Sequence, residues 1–356
     1  SYALRTIPVM LDYMKLIREH AKPDATVFNF TNPSGLVTQA IYDAGYDNVI
    51  GICDNATGIK IDISKALGIS ASDLLVRVYG LNHLSWANSV EVAGVNILPK
   101  LLANDGFVEN FHQFSYFDRD LIRSLGEIPN GYLFYYYHRQ KALANLLAAE
   151  SSRGEVIRKL NDEMMEKLRR HSVENEPEIC LDIYRECMQR REVSYMSIEL
   201  GGPQKAHEPI DIKTLGISEL PGNNSCYEVY EGYAGVVFNY IDSVNNKKNI
   251  DLAINVPNGN AIKGMAPTDV VEITCIIGEK GPQPLSFDNV NPSNLLLMQT
   301  IKRYEKLTIE AVMERSITKA AQALTIHPLV GDFCLAKKLV QEYIKHNEPY
   351  IGKWTL

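Results

Sequence analysis

The chain has 356 residues, 46% hydrophobic and 22% charged, an ordinary balance for a globular protein of one large or two ordinary domains. A formal net charge of −7 and a pI near 5.7 lack the basic field that nucleic acid or an anionic membrane surface needs, although one local basic pocket can still hold a phosphate. No run approaches the ~20 apolar residues of a membrane span. The opening residues carry no signal-peptide pattern, and the cysteines at 53, 180, 187, 226, 275 and 334 have no CxxC spacing; both suit a reduced, cytoplasmic protein.

The chain opens at Ser1 and runs straight into A-L-R-T-I-P-V-M-L-D-Y-M, which has the character of the inside of a fold, so an N-terminally truncated protein is expected. Apolar positions at Val9, Met10, Tyr13, Met14 and Ile17 place one face of a helix over 9–21. T-V-F-N-F at 26–30 is a short strand broken by N-P-S-G at 32–35, and 36–44 reads as a helix. N-V-I-G-I-C at 48–53 is a second buried strand, followed by a helix over about 57–67. Strand, helix, strand, helix at this spacing predicts a parallel, doubly wound sheet. Ligands in such sheets sit beyond the carboxyl ends of the strands, where Asn32 and Cys53 fall. V-E-V-A-G-V at 90–95 predicts a hairpin or strand. Residues 155–170 predict a helix, with Val156, Leu160, Met164 and Leu168 four apart and a Glu163–Lys167 ion pair on its surface. D-L-A-I-N-V at 251–256 and V-V-E-I-T-C at 270–275 read as strands around a turn rich in Pro, Asn and Gly, and 296–346 as mostly helical, with Asp332 capping the last helix.

Three segments carry candidate chemistry. Cys53 and Asp54 end one apolar strand, and His83 follows another 30 residues later in Y-G-L-N-H-L-S-W. A thiol and an imidazole suit a borderline divalent metal, and two ligands leave the open positions a catalytic site needs; spacing alone fits a buried cysteine and a satisfied core histidine as well. P-N-G-Y-L-F-Y-Y-Y-H at 129–138 has four tyrosines in six positions. A tyrosine becomes a base when a nearby cation lowers its pKa, and the same cluster fits an aromatic core. The polar turn N-F-T-N-P-S-G at 29–35 fits sugar hydroxyls, a cofactor, or a plain strand-to-helix connection.

Together these segments resemble glycoside hydrolase family 4. Its members show N-F-T-N-P-[SA]-G, a cysteine-containing tetrapeptide after Gly-[ILV], Y-G-L-N-H and Y-L-x-Y-Y; here these stand in that order at 29–35, 51–56, 79–83 and 132–136. Y-E-K-L-T-I-E-A at 304–311 and A-L-T-I-H-P-L-V at 323–330 are similar to the family's C-terminal helices, so the resemblance covers essentially the whole chain. It implies an α/β fold: a partial Rossmann-like parallel sheet over 1–78, the C-terminal half of a dinucleotide-binding domain, and a mixed α+β catalytic domain over 79–356. The family is a recognised exception to two-carboxylate glycoside hydrolysis. The resemblance implies hydride transfer from sugar C3 to NAD, removal of the C2 proton by a tyrosine, and a divalent ion, usually manganese, holding the developing charge.

By the same resemblance Cys53 and His83 match the metal ligands and Tyr132 the base, and Asp54 stands where the family's phospho-α-glucosidases carry the acid to the leaving group and many phospho-β-glucosidases carry asparagine. Asn32 matches the substrate-binding asparagine of the turn; Thr31 and Asn32 are the candidates for cofactor binding, and Asn82 and Arg191 further candidates for substrate binding. Arg153, Arg190 and Arg191 are the phosphate candidates, because guanidinium grips phosphate bidentately. The tetrapeptide C-D-N-A at 53–56 departs from the C-D-M-P of phospho-α-glucosidases and the common C-N-V-P of phospho-β-glucosidases. N-H-L-S-W at 82–86, I-L-P at 97–99 and R-E-V-S-Y-M at 191–196 resemble the 6-phospho-β-glucosidase branch. The expected function is therefore hydrolysis of a phosphorylated disaccharide or other 6-phospho-β-glucoside by a cytoplasmic homo-oligomer using NAD and Mn²⁺. The alternatives are a 6-phospho-α-glucosidase and a non-catalytic remnant that keeps metal or sugar affinity. A hydroxy-acid dehydrogenase shares the fold class, but the metal pair and tyrosine cluster argue against it. No G-x-G-S turn for the pyrophosphate stands in the chain, so little turnover is expected of it as written.

Overall fold

The computed structural model describes residues 2–202 and 230–355; Cys226 lies outside them. The chain begins with α1 (Tyr2–His20), β1 (Val27–Asn29), α2 (Ser34–Asp43), β2 (Val49–Gly51) and α3 (Asp54–Leu67). A hairpin of β3 (Leu74–Leu81) and β4 (Leu84–Val92) follows, then β5 (Val95–Asn96). Short helices α4 (Leu98–Ala103), α5 (Asp105–Asn110) and α6 (Arg119–Leu125) lead to β6 (Ile128–Pro129), α7 (Phe134–Tyr137) and α8 (Arg139–Ala148). Next come α9 (Arg153–Leu168), α10 (Pro177–Val193) and α11 (Ser197–Leu200). Beyond the undescribed stretch stand α12 (Gly232–Asn246), β7 (Ile250–Pro257), β8 (Val270–Gly278), β9 (Gly281–Pro284), α13 (Pro292–Glu314), α14 (Ile317–Ile326) and α15 (Phe333–Ile351).

The strands form one mixed sheet in the order β1-β2-β7-β8-β3-β4-β5, with β6 on β4 and β9 on β8. The parallel pairing expected of the first two strands holds, with Val27 opposite Val49 and Asn29 opposite Gly51. Every other pairing between these strands is antiparallel. The reason is topological: β7 and β8, from late in the chain, insert between β2 and β3. Strands 250–257 and 270–278 are central and almost wholly buried, which explains their near-continuous apolar runs.

The helices read at 36–44, 57–67 and 155–170 form as α2, α3 and α9, each starting two or three residues early, whereas α1 begins at Tyr2 rather than at 9. Asp332 accepts the backbone N–H of Leu335 and caps α15 (2.6 Å), and Ser152 with Glu155 forms a capping box on α9. The expected Glu163–Lys167 pair does not form. Glu163 meets Arg190 of α10 at 2.8 Å and Lys167 meets Glu186 at 2.7 Å, because α10 packs along α9 and offers cross-helix partners. Residues 90–95 make the hairpin turn at Ala93 and Gly94, both with positive φ. Helix α3 is clamped to the sheet by a buried ion pair from Lys60 to Asp251 of β7 at 2.6 Å.

Glu127, just before β6, is buried and accepts hydrogen bonds from Tyr79 Oη (2.9 and 3.1 Å) and Asn294 Nδ2 (2.8 Å). Burial pushes its carboxyl from its ordinary 4.5 up to about 7, with the Tyr79 and Asn294 bonds partly opposing. A carboxyl raised on folding favours the protonated fold. Its contribution is therefore complete below about 4.5 and is lost as the pH rises through about 7. Glu127→Gln, neutral at every pH, should flatten the fall in unfolding free energy between about pH 5 and 8 by roughly 2 kcal/mol. An unchanged slope in denaturation at several pH values would assign it to another group.

Candidate active site

The site is built at a turn that only a constrained backbone can make. Leu81 pairs with Leu84, so Asn82 and His83 form a two-residue hairpin loop between β3 and β4. His83 carries φ +66, a left-handed conformation that glycine or asparagine usually supplies. A non-glycine residue held there is a feature found at functional sites. Gly80 makes the tight closure possible: a Cβ added there would stand 2.3 Å from the Leu84 carbonyl oxygen.

The turn delivers His83 Nε2 to 3.4 Å from Cys53 Sγ, at the carboxyl end of β2 and the N-cap of α3. Cys53 is buried and His83 half-buried. Burial holds the His83 imidazole down at about 4, so it is neutral and able to ligate, and pushes the Cys53 thiol up to about 12. A thiolate here needs a positive charge beside it. Bonds of roughly 2.0–2.3 Å from one cation to sulfur and nitrogen separate these atoms by about 3.1–3.6 Å between right-angled and tetrahedral geometry. The observed separation falls inside that span, so the pair fits one divalent ion. Among the described residues no third His, Cys, Asp or Glu joins them, which leaves positions open for substrate oxygens.

Tyr132 packs its ring on His83, with centroids 4.3 Å apart, and its hydroxyl accepts from Tyr195 Oη. Burial raises the Tyr132 phenol, partly opposed by that hydrogen bond. Of the tyrosines at 132–137, only Tyr132 lines the central cleft. Tyr135 donates to Glu199 (2.8 Å) and Tyr137 accepts from the Trp86 indole (3.3 Å), both in structural roles. Asp54 opens α3 beside Cys53; burial raises its carboxyl, and the Tyr233 hydroxyl reaches it.

These groups line a cleft of about 910 Å³ whose walls also carry Arg153, Arg191 and Tyr195. Cys53, Asp54, His83, Tyr132 and Arg191 are thus brought together. Thr31, Asn32 and Asn82 do not line this cleft. Thr31 is tied to Asn29 Oδ1 at the end of β1, and Asn32 comes within reach of the Tyr233 hydroxyl. Asn82 stands behind His83, donating to Glu272 (3.0 Å) and accepting from the Gly35 N–H at a longer 3.4 Å.

The three arginines separate by geometry. Arg190 points to Glu163 on α9. Arg153 spends its guanidinium on Ser194 Oγ and the Arg191 carbonyl. Arg191 faces the cleft, and among the described residues its guanidinium has no ion-pair partner.

Sequence reasoning missed what holds the site. Glu272, wholly buried on β8, accepts from Asn82 Nδ2 (3.0 Å), Ser85 Oγ (3.0 Å) and Asn255 Nδ2 (3.2 Å), and from the His83 backbone N–H. Burial pushes its carboxyl up to about 7, with these bonds opposing. Ser85 in turn accepts from Asn130 Nδ2 (3.2 Å), whose Oδ1 accepts the Tyr132 N–H (3.0 Å). One carboxylate therefore supports both the histidine turn and the tyrosine. The available signal was a charge in V-V-E-I-T-C and an amide in L-A-I-N-V, polar residues in central strands that must be partnered.

Residues 78–330 match the family 4 glycosyl hydrolase C-terminal domain, and residues 1–69 match the family 4 glycosyl hydrolase. A probable 6-phospho-beta-glucosidase of Bacillus subtilis is 28% identical over 360 residues, covering 99% of this chain and 71% of that protein. The phospho-alpha-glucosidase PagL of Clostridium acetobutylicum is 27% identical, covering 98% and 73%. A 6-phospho-beta glucosidase from Thermotoga maritima, solved with manganese, NAD⁺ and glucose-6-phosphate, has the same fold at a TM-score of 0.71, with 24% identity over 99% of this chain and 72% of that one.

Proposed function

Because this chain belongs to family 4 of the glycosyl hydrolases, we propose that it hydrolyses 6-phospho-β-glucosides with the help of NAD and a divalent ion, manganese by preference. The observation that carries the reading is the Cys53–His83 pair, 3.4 Å apart, with the Tyr132 ring against the imidazole in a cleft large enough for a phosphorylated disaccharide. The β preference draws on the Bacillus and Thermotoga relatives, and the Clostridium relative keeps the α-glucoside as the second reading.

Cys53 and His83 would hold the cation, and Thr31 and Asn32, at the carboxyl end of the parallel β1–β2 pair, would face the dinucleotide. When bound, the two groups supply Lewis acidity and a hydride acceptor. The chain's own residues do the proton work. Tyr132 takes the proton from sugar C2, and Asp54, with its carboxyl raised by burial, gives one to the leaving oxygen. Arg191 receives the 6-phosphate, the role suited to a guanidinium that lines the cleft and has no ion-pair partner among the described residues. Asn32 and Asn82 orient the sugar from the rim and from behind the histidine. In this reading residues 1–78 contribute the cofactor side and residues 79–356 the catalytic side of one shared sheet. A cytoplasmic homo-oligomer fits the described cysteines, all unpaired, and no described helix is long and apolar enough to cross a membrane.

The test is hydrolysis of nitrophenyl 6-phospho-β-glucoside by the protein expressed from its whole reading frame, beside Mn²⁺ binding followed by electron paramagnetic resonance. Turnover should require both Mn²⁺ and NAD⁺. Cys53→Ser keeps an oxygen donor but loses the soft thiolate, and should weaken Mn²⁺ binding roughly ten- to a hundredfold. Metal-independent turnover, or unchanged Mn²⁺ affinity in the variant, would overturn the assignment.

A further inference from the structure

The carboxyl end of α10 carries two cleft residues on one clamped turn. Arg191 and Tyr195 stand four residues apart, about one helical turn, and both line the cleft. Arg153, at the start of α9, holds the chain between them: its guanidinium donates to Ser194 Oγ and to the Arg191 carbonyl (2.7 Å). The Ser194 hydroxyl reaches the Arg190 and Arg191 carbonyls (2.8 and 3.0 Å), and the Tyr195 N–H donates to the Glu192 carbonyl (2.9 Å). These bonds satisfy carbonyls that a helix end otherwise leaves open. Directly after Tyr195 the backbone turns left-handed at Met196, φ +53, whose side chain is buried. A methionine held in that conformation is fixed by its surroundings, so Tyr195 moves with the turn. Its hydroxyl donates to Tyr132 Oη, and the two rings meet edge to face at 88° with centroids 6.3 Å apart.

We propose that this turn couples phosphate recognition to the base: a phosphate drawn onto Arg191 sets the turn, and Tyr195 passes that setting to the Tyr132 hydroxyl. The inference rests on the reading of Arg191 as the partner of the 6-phosphate and of Tyr132 as the base. Tyr195 is a positioning residue, because it acts through Tyr132. The Tyr195 bond occupies one side of the Tyr132 oxygen and leaves the other to face the substrate, while the His83 stack fixes the ring. Proton transfer needs its heavy atoms within about 2.6–3.2 Å, so a small displacement of the turn changes its rate steeply. Phosphate binding energy is in this way directed to orientation at the reacting carbon rather than to affinity alone.

The test supplies sugar and phosphate as separate pieces to the protein expressed from its whole reading frame, with NAD⁺ and Mn²⁺, and follows exchange of the glucose C2 proton in deuterated buffer. Inorganic phosphate should speed this exchange roughly 5- to 150-fold. In Tyr195→Phe the acceleration should fall below about twofold, while calorimetry shows inorganic phosphate bound as tightly as in the parent. Arg153→Lys keeps the positive charge but not the two-pronged clamp, and should lose the acceleration likewise. A second readout needs neither cofactor nor metal. With the tyrosines replaced by 3-fluorotyrosine, the Tyr132 fluorine resonance, identified by its loss in Tyr132→Phe, should shift when phosphate is added to the parent and stay in place in Tyr195→Phe. Equal acceleration or an equal shift in the parent and Tyr195→Phe overturns the coupling and leaves the phosphoglucosidase reading standing. So does loss of phosphate binding in Tyr195→Phe, or a parent that binds phosphate without acceleration. A parent that binds neither phosphate nor glucose 6-phosphate overturns that reading, and the coupling with it.

Discussion

Tyr132→Phe should abolish exchange of the sugar C2 proton with solvent and lower kcat by about 10²–10⁴, while the protein folds and binds Mn²⁺ as before. The substitution removes one oxygen. The ring stays stacked on His83, so the metal pair keeps its wall. The hydrogen bond from Tyr195 is lost, but both hydroxyls stand at the cleft, so the cost in stability is about 1 kcal/mol or less. The chemistry has no substitute base in place. Tyr135 donates its hydroxyl to Glu199, away from the cleft. Tyr195, which already touches Tyr132, and Tyr233, whose hydroxyl reaches Asp54, are further phenols at the cleft. Nuclear magnetic resonance of C2 in deuterated buffer, with NAD⁺ and Mn²⁺ present, reads the step directly. Exchange that persists in Tyr132→Phe and disappears in Tyr195→Phe would move the role of base to Tyr195.

Glu272→Ala should destabilise the fold by about 3–5 kcal/mol and take Mn²⁺ affinity down with it. The carboxylate is wholly buried and collects the side chains of Asn82, Ser85 and Asn255 together with the His83 N–H. Alanine leaves these donors in a dry interior with nothing to accept them, and each unsatisfied group costs on the order of 1–3 kcal/mol. It also frees the Asn82–His83 loop from its left-handed backbone, so the imidazole no longer points at Cys53. Glu272→Gln keeps one oxygen where Asn82 and Asn255 donate and replaces the one that Ser85 meets, so it should recover most of the loss. Chemical denaturation and Mn²⁺ titration of the two variants separate the cases. If alanine and glutamine cost the same, or alanine costs less than about 1 kcal/mol, the network does not hold the turn.

Local chemistry was legible in the sequence wherever its carriers are neighbours along the chain. Cys53 ends an apolar run, so a strand had to deliver it to a carboxyl edge; Y-G-L-N-H contains both the glycine that closes the hairpin and the histidine it presents. Capping by Asp332 and the two strands flanking the turn at 257–270 were readable for the same reason, since a few adjacent residues determine each. The tertiary structure alone decided that β7 and β8 enter between β2 and β3, because pairing partners some 200 residues apart leave no periodic trace. That insertion makes Glu272 the support of the site, where the sequence shows only a charge in a strand. It also divides Arg190 from Arg191: neighbours on a helix point about 100° apart, so packing against α9 sends one to Glu163 and leaves the other to the cleft.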